Sequence, residues 1–413
     1  MKILHTADIH LGTNTFGRID PKTGLNTRLQ DFQRSFEFMV ERGLAENIDL
    51  FLFCGDAYRT AAPTPTQQNI FAECLKPLAD HGIPMALVTG NHDHPVSFGK
   101  ATSIDIFRHL SGDVRVYRRP ELDIIETRDG PLQLVAMPWP VRSMLLFGRE
   151  WQKKSPADLC VAIEEKYVTR VAQLALQLKP TIPSVLAGHF SVQGSLLAGS
   201  ERTSVIAKEP QFTPLQLAVP PIDYVALGHI HHHQNCALDP DATPIVYSGS
   251  IERVTFREQN EPKGFVIVTI EGDPKRTTFE FVETPARRFV SLHVDVRTSI
   301  NPTEAILDRI ARARVEEAIV RLRFQITEPQ RAALDIQAIR QALGNAFAVA
   351  SIERDMEAAE HERRTEVTRE SSLKDALRGY ISQHENLKPI ANELVQKALE
   401  LEALAERAQH SDS

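Results

Sequence analysis

The chain has 413 residues, more than a single hydrophobic core normally covers, so we expect two or three domains. Hydrophobic residues make up 42% and charged residues 24%, a composition typical of soluble globular proteins that excludes wholesale disorder. The formal net charge of -7 does not indicate a basic nucleic-acid-binding surface, although bound metal ions or a partner subunit would supply positive charge locally.

The first part of the chain alternates predicted strands with amphipathic helices. Lys2–Thr6 is a short apolar strand, and Asp49–Cys54 is an almost unbroken apolar one. Between them, apolar residues recur at near-helical spacing: Phe32, Phe36, Val40 and Leu44. This is a β-α-β unit, which predicts an α/β fold.

The same alternation continues along the chain. A second helix is predicted from apolar residues at helical spacing: Phe71, Leu75 and Leu78. Three further apolar strands are predicted at Pro84–Thr89, Ser184–Ala187 and Tyr224–Leu227. Each of these strands runs directly into a polar block that begins with glycine.

Five short polar blocks follow predicted strands. In chain order they are Asp8-Ile9-His10, Gly55-Asp56, Gly90-Asn91-His92-Asp93, Gly188-His189 and Gly228-His229-Ile230-His231. Ligand sites of open α/β sheets form beyond the carboxyl ends of the strands, so we expect these blocks to share one edge. An ordinary strand-end turn explains any single block equally well, but five in one chain favour a functional site.

The side chains in these blocks are those that hold divalent transition metals. Asp, Asn and His are hard or borderline donors, and the absence of cysteine argues for an open catalytic site rather than a structural zinc site. Two cations about 3.5 to 4 Å apart, bridged by a carboxylate, can activate water and neutralise charge on a phosphorane-like transition state. We therefore predict metal-assisted hydrolysis of a phosphate ester.

His92 is the candidate general acid. As an imidazolium beside Asp93, it would stabilise or protonate the leaving oxygen, a role suited to a side chain that titrates near neutrality. The alternative is that His92 only braces its loop. Neighbouring histidines are expected to lie outside the ligand set: His5, His94, His232 and His233.

Beyond Glu283 the metal-type blocks end and a different pattern begins. It predicts three strands and two helices, at Phe289–Val296, Pro302–Ala313, Ala318–Ile326, Gln330–Leu343 and Val349–Ile352. We expect a catalytic domain over residues 1–283 and a small α+β domain over residues 284–354. From composition alone, the second domain is equally consistent with an unrelated oligomerisation module.

The C-terminal part has its own composition. Residues 355–371 are strongly charged, as in a linker or a solvated helix, and residues 372–408 contain two amphipathic helices interrupted at Pro389. Their candidate partner-binding residues are Leu373, Leu377, Tyr380, Leu394 and Leu401. Two helices beyond a linker have little core of their own to cover, so we expect a partner protein. The alternative is a hairpin that folds back on the preceding domain.

The cysteines and apolar segments indicate the cellular setting. The four cysteines are far apart and form no Cys-x-x-Cys pair, which argues against a disulfide framework and a thiolate metal site. The opening residues are apolar too briefly for a signal peptide, and no apolar run is long enough to span a bilayer. We expect a cytoplasmic protein that does not bind membranes.

The order of the five blocks resembles the calcineurin-like metallophosphoesterase superfamily. This resemblance implies a β-sandwich flanked by helices, with Asp56 bridging two metal ions and His92 as the family's non-ligand histidine. The ligands it implies are Asp8, His10 and His231 for one ion, and Asn91, His189 and His229 for the other.

Within this superfamily, further segments resemble the SbcD nuclease family. They are Lys2–Gly12, the Gly55-Asp56-Ala57-Tyr58 segment followed by Pro63 and Pro65, the Ser248-Gly249-Ser250-Ile251-Glu252-Arg253 stretch, and Lys263-Gly264-Phe265. Protein Ser/Thr phosphatases carry Asp-Arg-Gly after the Gly-Asp block and Gly-Asn-His-Glu in the next. Here Arg59 follows Tyr58 and the later block ends in Asp93, which weakens the phosphatase interpretation.

The resemblance implies a manganese-dependent nuclease subunit with exonuclease activity on duplex ends and endonuclease activity on hairpins and single strands. It implies an SbcC-like coiled-coil ATPase as regulator, a homodimer within a heterotetramer, a capping domain that selects and orients DNA, and C-terminal helices that bind the base of the coiled coil. The alternatives are a stand-alone metallophosphatase, a small-molecule phosphodiesterase or a non-catalytic scaffold.

Three arginines are candidate DNA contacts. Arg59 occupies a position where many family members carry a histidine, so the role of that histidine does not transfer; Arg59 either holds a DNA phosphate or caps a loop. Arg253 and Arg257 follow the turn at Gly249, where they either contact backbone phosphates or remain solvated surface residues.

Overall fold

The structure is a computed structural model that describes residues 1–95, 100–142, 151, 153–198, 209–356, 373–382 and 385–411. The chain divides into two compact units. The larger contains Met1–Phe324 and Asp335–Glu353, and the smaller contains Gln325–Leu334 and Arg354–Ser413. No helix within the described ranges combines the length and hydropathy that a membrane crossing requires.

The described strands lie almost wholly in the larger unit. In chain order they are β1 (Lys2–Thr6), β2 (Leu50–Cys54), β3 (Met85–Val88), β4 (Val114–Tyr117), β5 (Glu121–Thr127), β6 (Gly130–Met137), β7 (Ser184–His189), β8 (Ser191–Val192), β9 (Gln211–Phe212), β10 (Tyr224–Gly228), β11 (Gln234–Asn235), β12 (Ile245–Tyr247), β13 (Gly264–Glu271), β14 (Arg276–Glu283), β15 (Phe289–Asp295), β16 (Ile319–Ile326) and β17 (Ala348–Met356).

The described residues form fewer α-helices than strands, and the helices lie between strands along much of the chain. The α-helices of the described residues are α1 (Thr27–Ala45), α2 (Pro65–Asp80), α3 (Pro156–Ala175), α4 (Pro214–Leu217), α5 (Pro302–Ala311), α6 (Ile336–Ala342), α7 (Leu373–Ser382) and α8 (Ala391–Ser411). Their starts follow ordinary capping rules: Thr64 and Gln67 form a capping box before Pro65 of α2, and Ser155 caps α3 in the same way.

Two six-stranded sheets form a sandwich. The first has the order β14-β13-β1-β2-β3-β4, and the second has the order β11-β12-β10-β7-β6-β5. Strands β1 to β4 are parallel to one another, as are β6, β7, β10 and β12. Because the strands in each group are parallel, their carboxyl ends lie along one edge of their sheet.

The alternation of side chains along β2 explains the layers. Leu50 and Leu52 lie in the apolar core between the two sheets, whereas Phe51 and Phe53 lie in the core beneath α1 and α2. The second sheet packs its other face against α3, which buries Tyr167 among others. The predicted α/β fold, a β-sandwich flanked by helices, is confirmed.

A three-stranded sheet, in the order β15-β16-β17, follows the sandwich in the chain. The predicted strands and the helix α5 are present, but the prediction of one helix over Gln330–Leu343 is wrong. A 3-10 turn at Glu328–Ala333 ends in the extended residue Leu334, and α6 begins anew. The cause is Asp335, whose carboxylate accepts the N–H of Ala338 and caps the second helix.

The C-terminal helices form part of the smaller unit. The predicted linker over residues 355–371 lies almost wholly outside the described residues, and α7 and α8 are separated by a 3-10 turn that contains Pro389. Tyr380 is 54% exposed and Leu401 is 59% exposed, whereas Leu377 and Leu394 are half-buried. The helix that contains Leu373 is described, but the side chain of Leu373 is not.

Candidate metal centre

The five polar blocks of the sequence meet at the carboxyl ends of the central strands. The first three blocks follow β1, β2 and β3 of one sheet, and the last two lie at the ends of β7 and β10 of the other. The main chains interlock there: the N–H of Asp8 donates to the carbonyl of Gly55, and the N–H of His229 donates to the carboxylate of Asp8. The sandwich therefore brings residues more than 200 positions apart into one site.

One group of donors consists of Asp8, His10 and His231. The Nε2 atoms of His10 and His231 lie 3.0 Å apart, and Nε2 of His10 lies 3.9 Å from Oδ1 of Asp8. All three side chains are buried. Their ligand atoms lie within 4.8 Å of one another, which is close enough for a single cation.

A second group includes Asn91, His189 and His229. Oδ1 of Asn91 lies 2.9 Å from Nε2 of His189 and 3.3 Å from Nδ1 of His229. The two histidine rings are 5.3 Å apart and contact each other edge to face. An amide oxygen and two imidazole nitrogens thus point into the same small space.

Asp56 lies between the two groups. Its Oδ2 atom is 3.5 Å from Nε2 of His189, 3.7 Å from Nε2 of His10 and 3.9 Å from Nε2 of His92. Its other oxygen, Oδ1, accepts the main-chain N–H of His92 at 2.8 Å. One carboxylate oxygen thus faces three imidazoles, the position that a bridging ligand requires.

The electrostatics of the site are those of closely packed, desolvated donors. Burial raises the pKa of Asp8 to about 6 and, together with the neighbouring His231, lowers that of His10 well below its ordinary value. Burial also acts to raise the pKa of Asp56, but the imidazoles, led by His189, hold it well below its usual range. Burial opposes a proton on His189, yet attraction to Asp56 raises its pKa to about 9.

The donor set fits divalent cations. The Nε2 atoms of His10 and His231 face each other at 3.0 Å, and burial lowers the pKa of His10 well below its ordinary value, which favours a neutral ring with a lone pair on one nitrogen. A neutral imidazole is the form that binds a cation. Carboxylate, amide and imidazole donors suit Mn, Fe and Zn rather than a thiolate-bound ion.

Backbone strain is concentrated in the same residues. Positive φ angles occur at Asp8 (52°), His10 (49°), Asp56 (63°) and His229 (93°), in a region that non-glycine residues rarely adopt. Such conformations cost roughly 1 to 3 kcal/mol each and persist where the surrounding structure enforces them, often at functional sites. The sequence contains no direct sign of this strain.

Two glycines allow the loops to approach one another. A Cβ atom on Gly55 would contact Nδ1 of His189 and lie 2.7 Å from the main-chain nitrogen of Gly90. A Cβ atom on Gly90 would collide with the Asp56 carboxylate. These glycines are therefore needed for close packing of the loops that carry the donors.

His92 lies at the opening of the site, with its side chain 32% exposed. Its Nδ1–H donates to the main-chain carbonyl of Arg59 at 2.9 Å, because a carbonyl oxygen only accepts. Nε2 is thereby directed towards Asp56, and the ring contacts that of His10 edge to face, with 5.0 Å between centroids. The partner that orients His92 is thus the Arg59 carbonyl.

Asp93 and His92 have different hydrogen-bond partners in the described structure, so assistance of His92 by Asp93 stays a prediction. The Asp93 carboxylate is fully buried and accepts the main-chain N–H groups of Asp56, Ala57 and Gly90 at 2.8 to 3.1 Å. Adjacent residues on this loop point in different directions, so sequence adjacency to His92 did not place the two side chains together. Asp93 instead joins two ligand loops.

Each of three candidate ligands has an orienting partner. Nδ1 of His189 donates to the carbonyl of Cys54 at 2.6 Å, and Nδ1 of His231 lies 3.5 Å from Glu258. Nε2 of His229 lies 2.8 Å from Glu209. These partners were not predicted, because neither glutamate belongs to a recognisable block and both lie outside the strands that carry the ligands.

The candidate DNA-contacting arginines differ in placement. Arg59 and Arg257 are exposed, and Arg59 adjoins the site through the hydrogen bond between its carbonyl and His92. Arg253 is half-buried and its guanidinium donates to four main-chain carbonyls, those of Glu258, Glu261, Ala286 and Arg287. These bonds use the guanidinium to hold a turn, and a DNA contact at Arg253 stays a prediction.

The neighbouring histidines lie outside the donor groups. His5 is a core residue that bonds to Tyr224 and to the Leu227 carbonyl, and His94 bonds to Thr89. The remaining two interact with residues outside the site: His232 with Glu261, and His233 with Phe281 and the Tyr247 carbonyl.

Comparison with known proteins gives one family match and several relatives. The family profile described as "Calcineurin-like phosphoesterase" matches residues 1–233. The chain is 26% identical over 278 residues to the SbcD subunit of the nuclease SbcCD from Escherichia coli strain K12, covering 65% of each chain. It is 24% identical over 286 residues to the protein of the same name from Staphylococcus saprophyticus, covering 68% of each chain.

The extent of these matches is limited. The alignment spans just under two thirds of the length of the Escherichia coli protein. Among solved structures, a dimetal phosphatase from Danio rerio has a TM-score of 0.39 and 9% identity, over 68% of this chain and 96% of that chain. Those values are too low to bear on the chemistry of the site.

Proposed function

This chain belongs to the calcineurin-like phosphoesterase family, and on that premise we propose that it is an SbcD-like DNA nuclease subunit that hydrolyses phosphodiesters with two manganese ions. Members of the family use divalent metals. The observation that carries the proposal is the position of Asp56, whose Oδ2 atom faces the imidazoles of His10, His189 and His92 between two groups of buried donors.

We assign the seven donors to two positions. One cation would be held by Asp8, His10 and His231, the other by Asn91, His189 and His229, and Asp56 would contribute to both. When bound, divalent cations supply Lewis-acid polarisation of the phosphate and a stronger nucleophile from water. The carboxylates of Asp8 and Asp56 offset part of the positive charge.

His92 would act on the leaving oxygen. Its Nδ1–H is engaged by the Arg59 carbonyl, so Nε2 is the atom that faces the site and from which a proton would pass. Partial exposure of the ring suits a group that must exchange protons with solvent. Asp93 supports this chemistry indirectly by holding the loops of Asp56 and Gly90.

Two observations favour DNA over a small phosphate monoester. The curated relatives at 24% and 26% identity are named as nuclease subunits. The exposed Arg59, whose carbonyl bonds to His92, would supply a cation for a backbone phosphate beside the donors, and the exposed Arg257 is a second candidate. We propose activity on duplex ends, hairpins and single strands, with the capping domain at residues 284–354 selecting the DNA.

The C-terminal helices would bind a partner. The name of the relatives refers to a complex, SbcCD, and we propose an SbcC-like coiled-coil ATPase as regulator and a homodimer within a heterotetramer. Residues 372–408 would contact that partner, because Tyr380 and Leu401 expose apolar surface on α7 and α8. Residues 355–371 would then connect these helices to the preceding domains.

The purified chain tests the proposal when it is assayed with Mn²⁺ on linear duplex DNA, hairpin DNA and a model phosphate monoester. We expect DNA cleavage that a chelator abolishes. Asp56→Asn should abolish cleavage, whereas Asp239→Asn, the same change on an exposed turn, should not. Turnover of the monoester without cleavage of DNA would exclude the nuclease, and full function of the complex with Asp56→Asn would favour a scaffold.

A further inference from the structure

A buried carboxylate contacts one candidate ligand on the side away from the donors. Oε1 of Glu209 lies 2.8 Å from Nε2 of His229, and the hydroxyl of Ser191 donates to the same oxygen at 2.5 Å. The side chains of Glu209 and His229 are 8% and 4% exposed. Glu209 belongs neither to the five polar blocks nor to the predicted ligand set.

The hydrogen bond determines which nitrogen of His229 is available. Oε1 of Glu209 already accepts from the Ser191 hydroxyl and lies within hydrogen-bond distance of Nε2 of His229, so the carboxylate oxygen is the acceptor of both hydrogen bonds. His229 must then carry its proton on Nε2, which leaves the lone pair of Nδ1 directed towards Oδ1 of Asn91 at 3.3 Å.

We propose that Glu209 is a positioning residue that fixes the tautomer and direction of His229 and thereby sets the occupancy of the cation position shared with Asn91 and His189. A carboxylate behind a ligating histidine makes its other nitrogen a better donor, and the loss of such a partner typically lowers metal affinity by about 10- to 100-fold. The inference rests on the proposed function, since it presumes that this position holds a metal.

The two cation positions should respond differently. His189, the other histidine of this position, is oriented by the main-chain carbonyl of Cys54, which no side-chain substitution removes. His10 and His231 are not among the contacts of Glu209. Loss of Glu209 should therefore weaken one position and spare the other.

Trp139 offers a local reporter for that position. Its ring lies 5.2 Å from the ring of His229 and 6.2 Å from that of His189. The chain has two tryptophans, and the other, Trp151, contacts Lys166. In a Trp151→Phe background, Trp139 alone reports the arrival of a cation beside His229.

The experiment is a titration of the full metal-free chain with Mn²⁺. Trp139 fluorescence monitors binding at the position beside His229, and calorimetry measures the number of ions bound. The variants are Glu209→Ala and Glu209→Gln, in which the amide oxygen still accepts from His229. Glu164→Gln is the matched control. The Glu164 carboxylate accepts the N–H of Gln211, and Gln211 is two residues from Glu209 in the chain. Melting in chelator checks that each variant is folded.

We expect Glu209→Ala to weaken binding at the Trp139-reported position by about 10- to 100-fold while the other position keeps its affinity. Glu209→Gln should lie between the alanine variant and the wild type, and Glu164→Gln should match the wild type. If the alanine variant does not fold, the glutamine variant carries the same comparison.

Two negative results have different meanings. Two ions bound with wild-type affinity by Glu209→Ala, or by Glu209→Gln when it is the variant tested, would overturn the positioning role alone. Absence of Mn²⁺ binding to the wild-type chain would overturn the proposed function, and this inference with it.

Discussion

Asp31 and Arg287 form a two-point ion pair, in which Nε and Nη2 of the arginine each lie 2.6 Å from a carboxylate oxygen. Asp31 lies on α1, and Arg287 lies two residues before the start of β15. The guanidinium also packs on the ring of Phe347, 3.6 Å from its centroid. This pair joins the proposed catalytic domain to the proposed capping domain.

Removal of Arg287 should therefore destabilise the larger unit. In Arg287→Met, the buried Asp31 carboxylate loses its bidentate partner but keeps Arg28 at 2.8 Å, so the loss should lie below the roughly 3 to 5 kcal/mol typical of a buried charge left unpaired and above that of an exposed pair. Arg34→Met is the matched control, because Arg34 also pairs with Asp31 but is half exposed and should cost less than about 1 kcal/mol. Urea denaturation measures both, and equal losses would contradict the account.

Asp93→Asn should act on the loops rather than on proton transfer. The amide keeps one acceptor oxygen for three main-chain N–H groups and the Ser103 hydroxyl, so the free energy of unfolding should fall by about 1 to 3 kcal/mol. Affinity for Mn²⁺ should fall with it, because the Asp56 loop loosens. Unchanged stability with a reduced kcat would support Asp93 as the partner of His92.

His92→Asn should separate chemistry from metal binding. We expect kcat for DNA cleavage to fall by about 10²- to 10⁴-fold, the usual contribution of a general acid, while two Mn²⁺ ions still bind. His232→Asn removes a nearby histidine that pairs with Glu261, and it should leave both quantities unchanged. Single-turnover cleavage measures the rate, and calorimetry measures the number of bound ions. Loss of an ion in His92→Asn would indicate that His92 is a metal ligand.

The pH dependence of stability should include a contribution from His5. Burial between Tyr224 and Leu227 lowers the pKa of His5 from 6.5 to about 3. Between these values the unfolded chain binds one proton more than the folded chain, so the free energy of unfolding falls as the pH falls, by about 1.4 kcal/mol per pH unit.

His5→Gln should remove that contribution, since glutamine supplies a donor and an acceptor without titrating. Denaturation at pH 6, 5.5 and 5 in the presence of chelator measures the slope for each protein. The difference in slope should approach about 1.4 kcal/mol per pH unit. Identical slopes would show that His5 is not buried in its neutral form.

Local patterns predicted the α/β fold and the strand-end position of the polar blocks, whereas the β-sandwich came from the family resemblance. The continuous apolar residues of β2 specify two buried faces, and each glycine-containing block marks the end of a strand. Parallel strands bring Asp56 and Asn91 to one edge of the first sheet, whereas the meeting of that edge with His189 of the second sheet depends on how the two sheets pack. The bridging position of Asp56 stays a prediction until an ion is seen there.

Other features depend on tertiary contacts that no local pattern contains. Glu209 is 20 residues from His229 and belongs to no motif, and Arg253 resembles a surface residue until the carbonyls around it are known. The break before α6 was missed because the apolar spacing continues across it. The Asp335 cap separates the preceding 3-10 turn from the new helix α6.

Crystals of the full chain grown with Mn²⁺ test the central claim directly through an anomalous difference map. We expect two peaks: one contacted by Asp8, His10 and His231, the other by Asn91, His189 and His229, with Asp56 touching both. Density for an intact fold without ion peaks in excess Mn²⁺ would contradict the central claim.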